Sequence, residues 1–158
     1  MSRLPITKTP KPYVGGAFIR SESGRTFPLA DAAGAFFANM PQCTRKDLRN
    51  AVEAAAKAGP GWAKRTAYNR GQILYRLGEM LEARRQEMID MLGRFGAAKK
   101  AAAKEVDTTT DRLIYYAGWA DKYEQVLGNV NPVAAPYFNF TVTEPMGIVG
   151  VIAPDAPA

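Results

Sequence analysis

Few residues of this chain are of a type that carries covalent or acid–base chemistry. Histidine is absent from the 158 residues, and Cys43 is the one thiol. Without imidazole there is no histidine general base, no histidine-containing triad and no zinc site that needs such a ligand. A single cysteine also excludes an intrachain disulfide and every CxxC chemistry. Cys43 precedes Thr44, a candidate helix N-cap, and Arg45 and Lys46 follow. A helix N-terminus and neighbouring cations both favour a thiolate. No general base lies near it in sequence, however, so Cys43 is read as a bland surface or half-buried thiol, and no catalytic residue is assigned.

Two other groups invite a chemical reading and lose it on geometry. Glu144 and Asp155 bracket an apolar run, but a strand of about six residues holds its ends roughly 20 Å apart. Carboxylates that share one reaction sit far closer, and Glu144-Pro145 reads as a turn. Tyr115, Tyr116 and Trp119 stand at i, i+1 and i+4, the spacing of a packing face on a helix rather than a ligand cage. No metal site is expected. The sequon Asn139-Phe140-Thr141 is read as chance, because no apolar leader precedes it in Met1-Ser2-Arg3-Leu4-Pro5-Ile6-Thr7.

Charge and length narrow the class further. Lys plus Arg number 21 against 15 Asp plus Glu, a net charge of +6. The densest basic run, Lys99-Lys100-Ala101-Ala102-Ala103-Lys104, is embedded in alanine and followed by Glu105, Asp107 and Asp111. That is the pattern of a solvated helix face, not of the interleaved basic and aromatic residues that grip nucleic acid. No run approaches the ~18 apolar residues that a transmembrane helix requires. The expectation is therefore no nucleic-acid partner, no membrane span and a cytoplasmic location. A chain of this length buries roughly 70% of its unfolded surface when it folds as one domain.

The elements that must position these residues follow from punctuation and period. Prolines 5, 10 and 12 mark an extended arm over residues 1–12. Residues 13–20, 25–29 and 35–40 read as three strands of a small antiparallel meander. Thr44 opens a helix with Asp47 placed for a capping box, and Gly59-Pro60-Gly61 is expected to stop it. A second helix is predicted over 66–92, with Ile73, Leu74, Leu77, Leu81, Met88, Ile89 and Leu92 on one stripe. A third is predicted over 97–127, burying Val106, Leu113, Ala117, Ala120 and Leu127, with Gly128-Asn129 at its end. Residues 137–143 read as a strand, Glu144-Pro145-Met146-Gly147 as a turn, and Ile148-Val149-Gly150-Val151-Ile152-Ala153 as a strand apolar on both faces. Such a strand belongs in a parallel sheet covered on both sides.

In this order the motifs resemble the aldehyde dehydrogenase superfamily. Tyr13-Val14-Gly15-Gly16-Ala17-Phe18 and Ser23-Gly24-Arg25-Thr26-Phe27-Pro28 are similar to its opening strands. Ala38-Asn39-Met40-Pro41-Gln42, leading into 47–55, resembles the approach to its first helix. Pro60-Gly61-Trp62, residues 70–77, and Tyr115-Tyr116-Ala117-Gly118-Trp119-Ala120-Asp121-Lys122 continue the match. Glu144-Pro145-Met146-Gly147-Ile148-Val149-Gly150-Val151-Ile152-Ala153-Pro154 resembles the entry into its cofactor domain. The resemblance runs along essentially the whole chain and covers about the first third of a usual member.

The resemblance implies an α/β fold, the N-terminal part of an aldehyde-dehydrogenase-like architecture: a small β-meander, three helices, an oligomerisation-type hairpin and the first Rossmann-type strand. It divides the chain into the arm 1–12, a meander and helical part 13–136, an oligomerisation-type strand and turn 137–147, and the start of the NAD(P)-binding sheet 148–158. Family enzymes oxidise an aldehyde to a carboxylic acid through a cysteine thiolate, hydride transfer to NAD(P) and a glutamate-activated water. By resemblance those catalytic groups map beyond residue 158, so this chain alone is expected to be inactive. Ile152, Ala153 and Pro154 match the stretch that contacts the nicotinamide side of the cofactor. NAD or NADP is expected in a complete protein, with no tight binding by this chain alone. The implied partners are a second copy of the chain or a full-length aldehyde dehydrogenase, the latter making it a non-catalytic interaction subunit.

Three departures stand out. Where the family has Pro-Trp-Asn, the chain has Pro154-Asp155-Ala156. The missing amide is an oxyanion donor, and loss of one such donor typically costs ~3–4 kcal/mol of transition-state stabilisation. Phe95-Gly96-Ala97-Ala98-Lys99 replaces the family's Glu-Thr-Gly-Lys, and 28–34 keeps the shape of its Asn-Pro-Ala-Thr-Gly turn without the Asn and Pro.

Overall fold

The computed structural model describes residues 9–154; residues 1–8 of the expected arm, and Asp155 and Ala156, lie outside them. Strands Tyr13–Val14 (β1) and Ala17–Phe18 (β2) pair antiparallel about Gly15 and Gly16, whose φ angles are 60° and 87°. A two-residue turn of this hand needs positive φ at both central positions, which glycine adopts without a Cβ clash. The glycine pair thus folds the single strand expected over 13–20 back on itself.

Thr26–Ala30 (β3) and Phe36–Pro41 (β4) form a second antiparallel pair, with an irregularity between Leu29 and Ala30. The Asp31 carboxylate closes their connection by accepting from the Ala33 and Ala35 N–H groups at 3.0 and 2.9 Å. The expected three-stranded meander is therefore two separate two-stranded sheets. The reason lies at the 21–24 turn, where Ser23 donates its hydroxyl to the Gln42 carbonyl at 2.9 Å and Ser21 Oγ lies 3.0 Å from the same oxygen. That ties the turn to the end of β4 instead of extending a ladder from β2.

The capping box forms as its residues predict. Thr44 N–H donates to Asp47 Oδ2 at 2.7 Å, and Asp47 N–H points back at Thr44 Oγ1 at 3.5 Å. The helix that follows, Arg45–Ala63 (α1), passes through Pro60 and ends four residues later than its Gly-Pro-Gly punctuation suggests. Proline near a helix end forfeits one N–H bond only, and the Pro60 carbonyl still accepts from Lys64 N–H at 3.2 Å.

Both long helices of the sequence reading are divided. The first is Ala67–Ala83 (α2) and Arg85–Arg94 (α3), separated at Arg84, whose φ of −112° and ψ of 16° leave the helical region. The second is Lys99–Trp119 (α4) and Tyr123–Leu127 (α5). The break at Arg84 re-aims the chain so that Ile89 reaches Ala102 and Val106, the closed core of the molecule, flanked by Met88, Leu92, Ala97 and Ala103. Across the same seam Arg85 grips Asp107 with two bonds, Nε to Oδ1 at 2.6 Å and the second guanidinium nitrogen to Oδ2 at 2.9 Å. An unbroken helix would carry both groups past α4. Leu127, expected on a buried side, lies on the separate helix α5 and is 57% exposed.

Helices α2 and α4 approach closely where α2 has no side chains. A Cβ on Gly71 would lie 2.8 Å from the Ala117 carbonyl oxygen, and one on Gly78 would lie 2.8 Å from Ile114 Cδ1. Beyond α5, Val130–Asn131 (β5) pairs antiparallel with Asn139–Phe140 (β6). The strand expected over 137–143 thus shortens to two residues, and its partner is a segment read from sequence as a helix stop. Residues 148–153, expected as a strand, join no ladder among the described residues. A strand exists by pairing its N–H and C=O groups with a neighbour, and these residues have none.

Candidate functional site

The three residues expected to meet a cofactor stand together at the end of the described chain and in the open. Ile152 is fully exposed, Val151 is 87% exposed and Met146 99%. Ala153 and Pro154 are exposed as well. None of Ile152, Ala153 and Pro154 lines either of the two clefts described below. Among the described residues they form an exposed strip, not a pocket. A nicotinamide cofactor therefore does not fit these residues alone.

Cys43 is exposed and lines neither cleft. Tyr115 and Tyr116 stack edge to face at 5.3 Å, with Trp119 6.1 Å from Tyr115. Both tyrosines remain exposed, so the trio forms an aromatic ridge on α4 and encloses nothing. The Lys99-to-Lys104 run lies on α4 with its lysines in solvent, as its alternation with alanine suggests. Among the described residues no group of three or more Cys, Asp or Glu side chains is placed to hold a metal. No helix among them is long and apolar enough to cross a membrane.

The most ordered polar arrangement is one the sequence reading only half found. Asp47 closes the capping box of α1, and it also accepts from Ser21 Oγ at 2.9 Å and from Glu22 N–H at 3.0 Å. The carboxylate thereby fastens the 21–24 turn to the first turn of α1. These donors, the Glu22 N–H foremost and the Thr44 N–H next, hold the Asp47 carboxyl down to a pKa of about 2. The Asp107 carboxyl is lowered, and the Arg85 guanidinium raised, by the paired bonds between them.

Two clefts lie elsewhere among the described residues. One, of about 830 Å3, lies between residues 9–12, β2 and the 21–26 segment, with Lys11, Arg20 and Arg25 on its walls. The other, of about 720 Å3, runs along the α2–α4 seam past Tyr68, Tyr75, Ile114 and Gly118. Its charged residues are Arg76, Glu79, Asp121 and Lys122, of mixed sign. The sequence analysis named neither. The seven-residue spacing of Gly71 and Gly78 on one helix face was the available signal for the second. For the first, the signal was Arg20 and Arg25 flanking a Ser-Glu-Ser-Gly turn.

Comparison with known proteins decides what these elements belong to. The model of the aldehyde dehydrogenase family matches residues 18–155. The chain belongs to the aldehyde dehydrogenase family. It is 34% identical to retinal dehydrogenase 2 of Mus musculus, an alignment covering 98% of this chain and 32% of that protein. It is likewise 34% identical to the mitochondrial benzaldehyde dehydrogenase of Antirrhinum majus, over 91% of this chain and 27% of that one. The crystal structure of PnpE in complex with nicotinamide adenine dinucleotide superimposes with a TM-score of 0.78 at 26% identity, over 84% of this chain and 27% of that one. The NAD-dependent benzaldehyde dehydrogenase of Corynebacterium glutamicum gives a TM-score of 0.74 at 26% identity, over 82% of this chain and 28% of that one. The chain spans about 30% of the length of the curated relatives it matches, and its architecture is the N-terminal portion of an aldehyde dehydrogenase fold.

Proposed function

We propose that this chain is the N-terminal scaffold of an NAD(P)-dependent oxidoreductase that converts an aldehyde to a carboxylic acid, with Ile152, Ala153 and Pro154 as one edge of its cofactor site. The 158 residues by themselves do not turn over in this reading. The observation that carries it is the character of residues 148–152: in no ladder among the described residues and almost wholly apolar, with Val149, Val151 and Ile152 in solvent. A segment of this kind fits a sheet with strands on its edges and helices on both faces, and membership of the family matched over 18–155 supports that reading. Residues 137–147, whose strand β6 pairs on one side only among the described residues, support assembly with a second copy or with a full-length family member, since open edges recruit strands.

The test is direct. The purified chain, given NAD+ or NADP+ and a panel of short aldehydes, should produce no nicotinamide absorbance above the blank. It should instead restore turnover to a family enzyme from which the matching N-terminal third has been removed. Turnover by the chain alone, abolished by Cys43→Ser, would overturn the reading and make Cys43 a nucleophile. Failure to associate in the second arm, with a monodisperse peak at 17.2 kDa, would remove the assembly part of it.

A further inference from the structure

The cleft beside β2 carries charge that nothing else in the fold uses. Its volume of about 830 Å3 lies within the roughly 300–1,000 Å3 of small-molecule pockets. Its walls are held in place: Ile19 N–H donates to the Pro12 carbonyl and Gln42 N–H to the Arg25 carbonyl, each at 2.9 Å. Lys11, Arg20 and Arg25 line it, and no carboxylate does. None of the three has an ion-pair partner among the described residues.

The acids nearest the rim are already engaged. Glu22 pairs with Lys46, and Asp47 accepts four hydrogen bonds from Ser21, Glu22 and Thr44. The α2–α4 cleft is the internal contrast, since two cations face two carboxylates there and Arg76 is paired with Glu79 at 2.8 Å. The basic cleft also has a flat apolar wall. Phe18 is 72% exposed, its ring is propped 5.0 Å from that of Tyr13, and Pro10, Pro12 and Pro41 continue the surface.

We propose that this cleft binds a phosphorylated small molecule with a flat apolar body, the phosphate on Lys11, Arg20 and Arg25 and the flat body against Phe18. Guanidinium groups match phosphate oxygens two at a time, and an exposed phenylalanine face beside prolines stacks a planar ring. The site is remote in sequence from Ile152, Ala153 and Pro154 and does not depend on the aldehyde reading.

The test is an amide NMR titration of the 158-residue chain with inorganic phosphate and with AMP as probes. Both should shift the amides around Arg20 and Arg25 saturably, with AMP about tenfold tighter, and both should weaken as salt rises. The double substitution Arg20→Gln, Arg25→Gln should weaken both probes about tenfold or more, and Phe18→Ala should bring AMP down to the level of phosphate. Lys11→Gln, which touches no described hydrogen bond, should weaken both without disturbing the turn. Arg76→Gln in the other cleft should change nothing. Absence of saturable shifts, binding by the Lys11 or arginine variants as tight as by the unsubstituted chain, or AMP no tighter than phosphate would each overturn the proposal.

Discussion

The α3–α4 contact and the 142–152 tail both offer apolar side chains, the tail the more densely, yet only the contact is covered. Ile89, Ala102 and Val106 are buried against each other, while Val142, Met146, Val149, Val151 and Ile152 stand in solvent. The difference is one of hydrogen bonding before it is one of hydrophobicity. A helix satisfies its backbone within the segment, so α3 and α4 exist first and then pack. A strand satisfies its backbone only through a neighbour, so residues 148–153 form no strand among the described residues. The tail's apolar content describes a sheet that the described residues do not contain.

That comparison can be broken or sharpened by substitution. The largest effect is expected in the closed core. Ile89→Ala leaves a cavity against Ala102 and Val106 and should cost about 3 kcal/mol, within the usual range for such truncations; the urea midpoint of the chain measures it. A midpoint unchanged within error would mean that the core is no better closed than the tail.

The α2–α4 seam should respond by about 1–3 kcal/mol, and unequally. A Cβ at Gly71 meets the Ala117 backbone oxygen, which cannot yield without moving α4, so Gly71→Ala should destabilise the chain as overpacking does. At Gly78 the obstacle is the tip of the Ile114 side chain, which can swing aside. Alanine there also gains roughly 0.5–1 kcal/mol of helix propensity, so Gly78→Ala should be close to neutral. Equal losses at the two sites would refute the distinction between backbone and side-chain contact.

A smaller effect is expected at Asp47, and it depends on pH. Its folded pKa of about 2 lies below the ordinary value of 3.8. A depressed carboxylate stabilises the fold above its unfolded pKa and loses that contribution as pH falls through the folded value. The chain should therefore weaken between about pH 4 and pH 2, and Asp47→Asn should flatten that part of the profile. Thermal unfolding of the two proteins over this window decides it. A parallel pair of profiles would show that the latch between the 21–24 turn and α1 contributes nothing.

The smallest effect on stability belongs to the tail. Val151→Lys with Ile152→Lys should change the unfolding free energy by no more than about 0.5 kcal/mol, as surface changes do, while lowering the association seen by light scattering. A large loss of stability would mean that the tail is covered after all.

How much of this was legible beforehand varied from element to element. Thr44 and Asp47 announced the capping box because both partners lie within one turn. Thr66 announced the start of α2 for the same reason, and Asn69 N–H does donate to it at 3.2 Å. The breaks at Arg84 and at 120–122 were not legible, since no glycine or proline marks either and both follow from what the helices pack against. The second role of Asp47 was hidden too, because its partners Ser21 and Glu22 lie 26 and 25 residues away. Of the candidate site, the sequence placed Ile152, Ala153 and Pro154 side by side but could not build a pocket around them. The basic cleft needed the fold to bring Lys11, Arg20 and Arg25 onto one surface.

By itself the sequence determined the family, the order of elements and the excluded chemistries, since motif order, caps and residue inventory are properties of the chain read in one dimension. Tertiary structure alone decided where helices divide, that the meander is two hairpins, and which apolar runs are covered. Those outcomes depend on contacts between residues far apart in the chain, and the free energy of such contacts is set by distance in space. The tail makes the point most simply. Its strand pattern is written in residues 148–153, but a strand is a relation between two segments, and one segment cannot supply it.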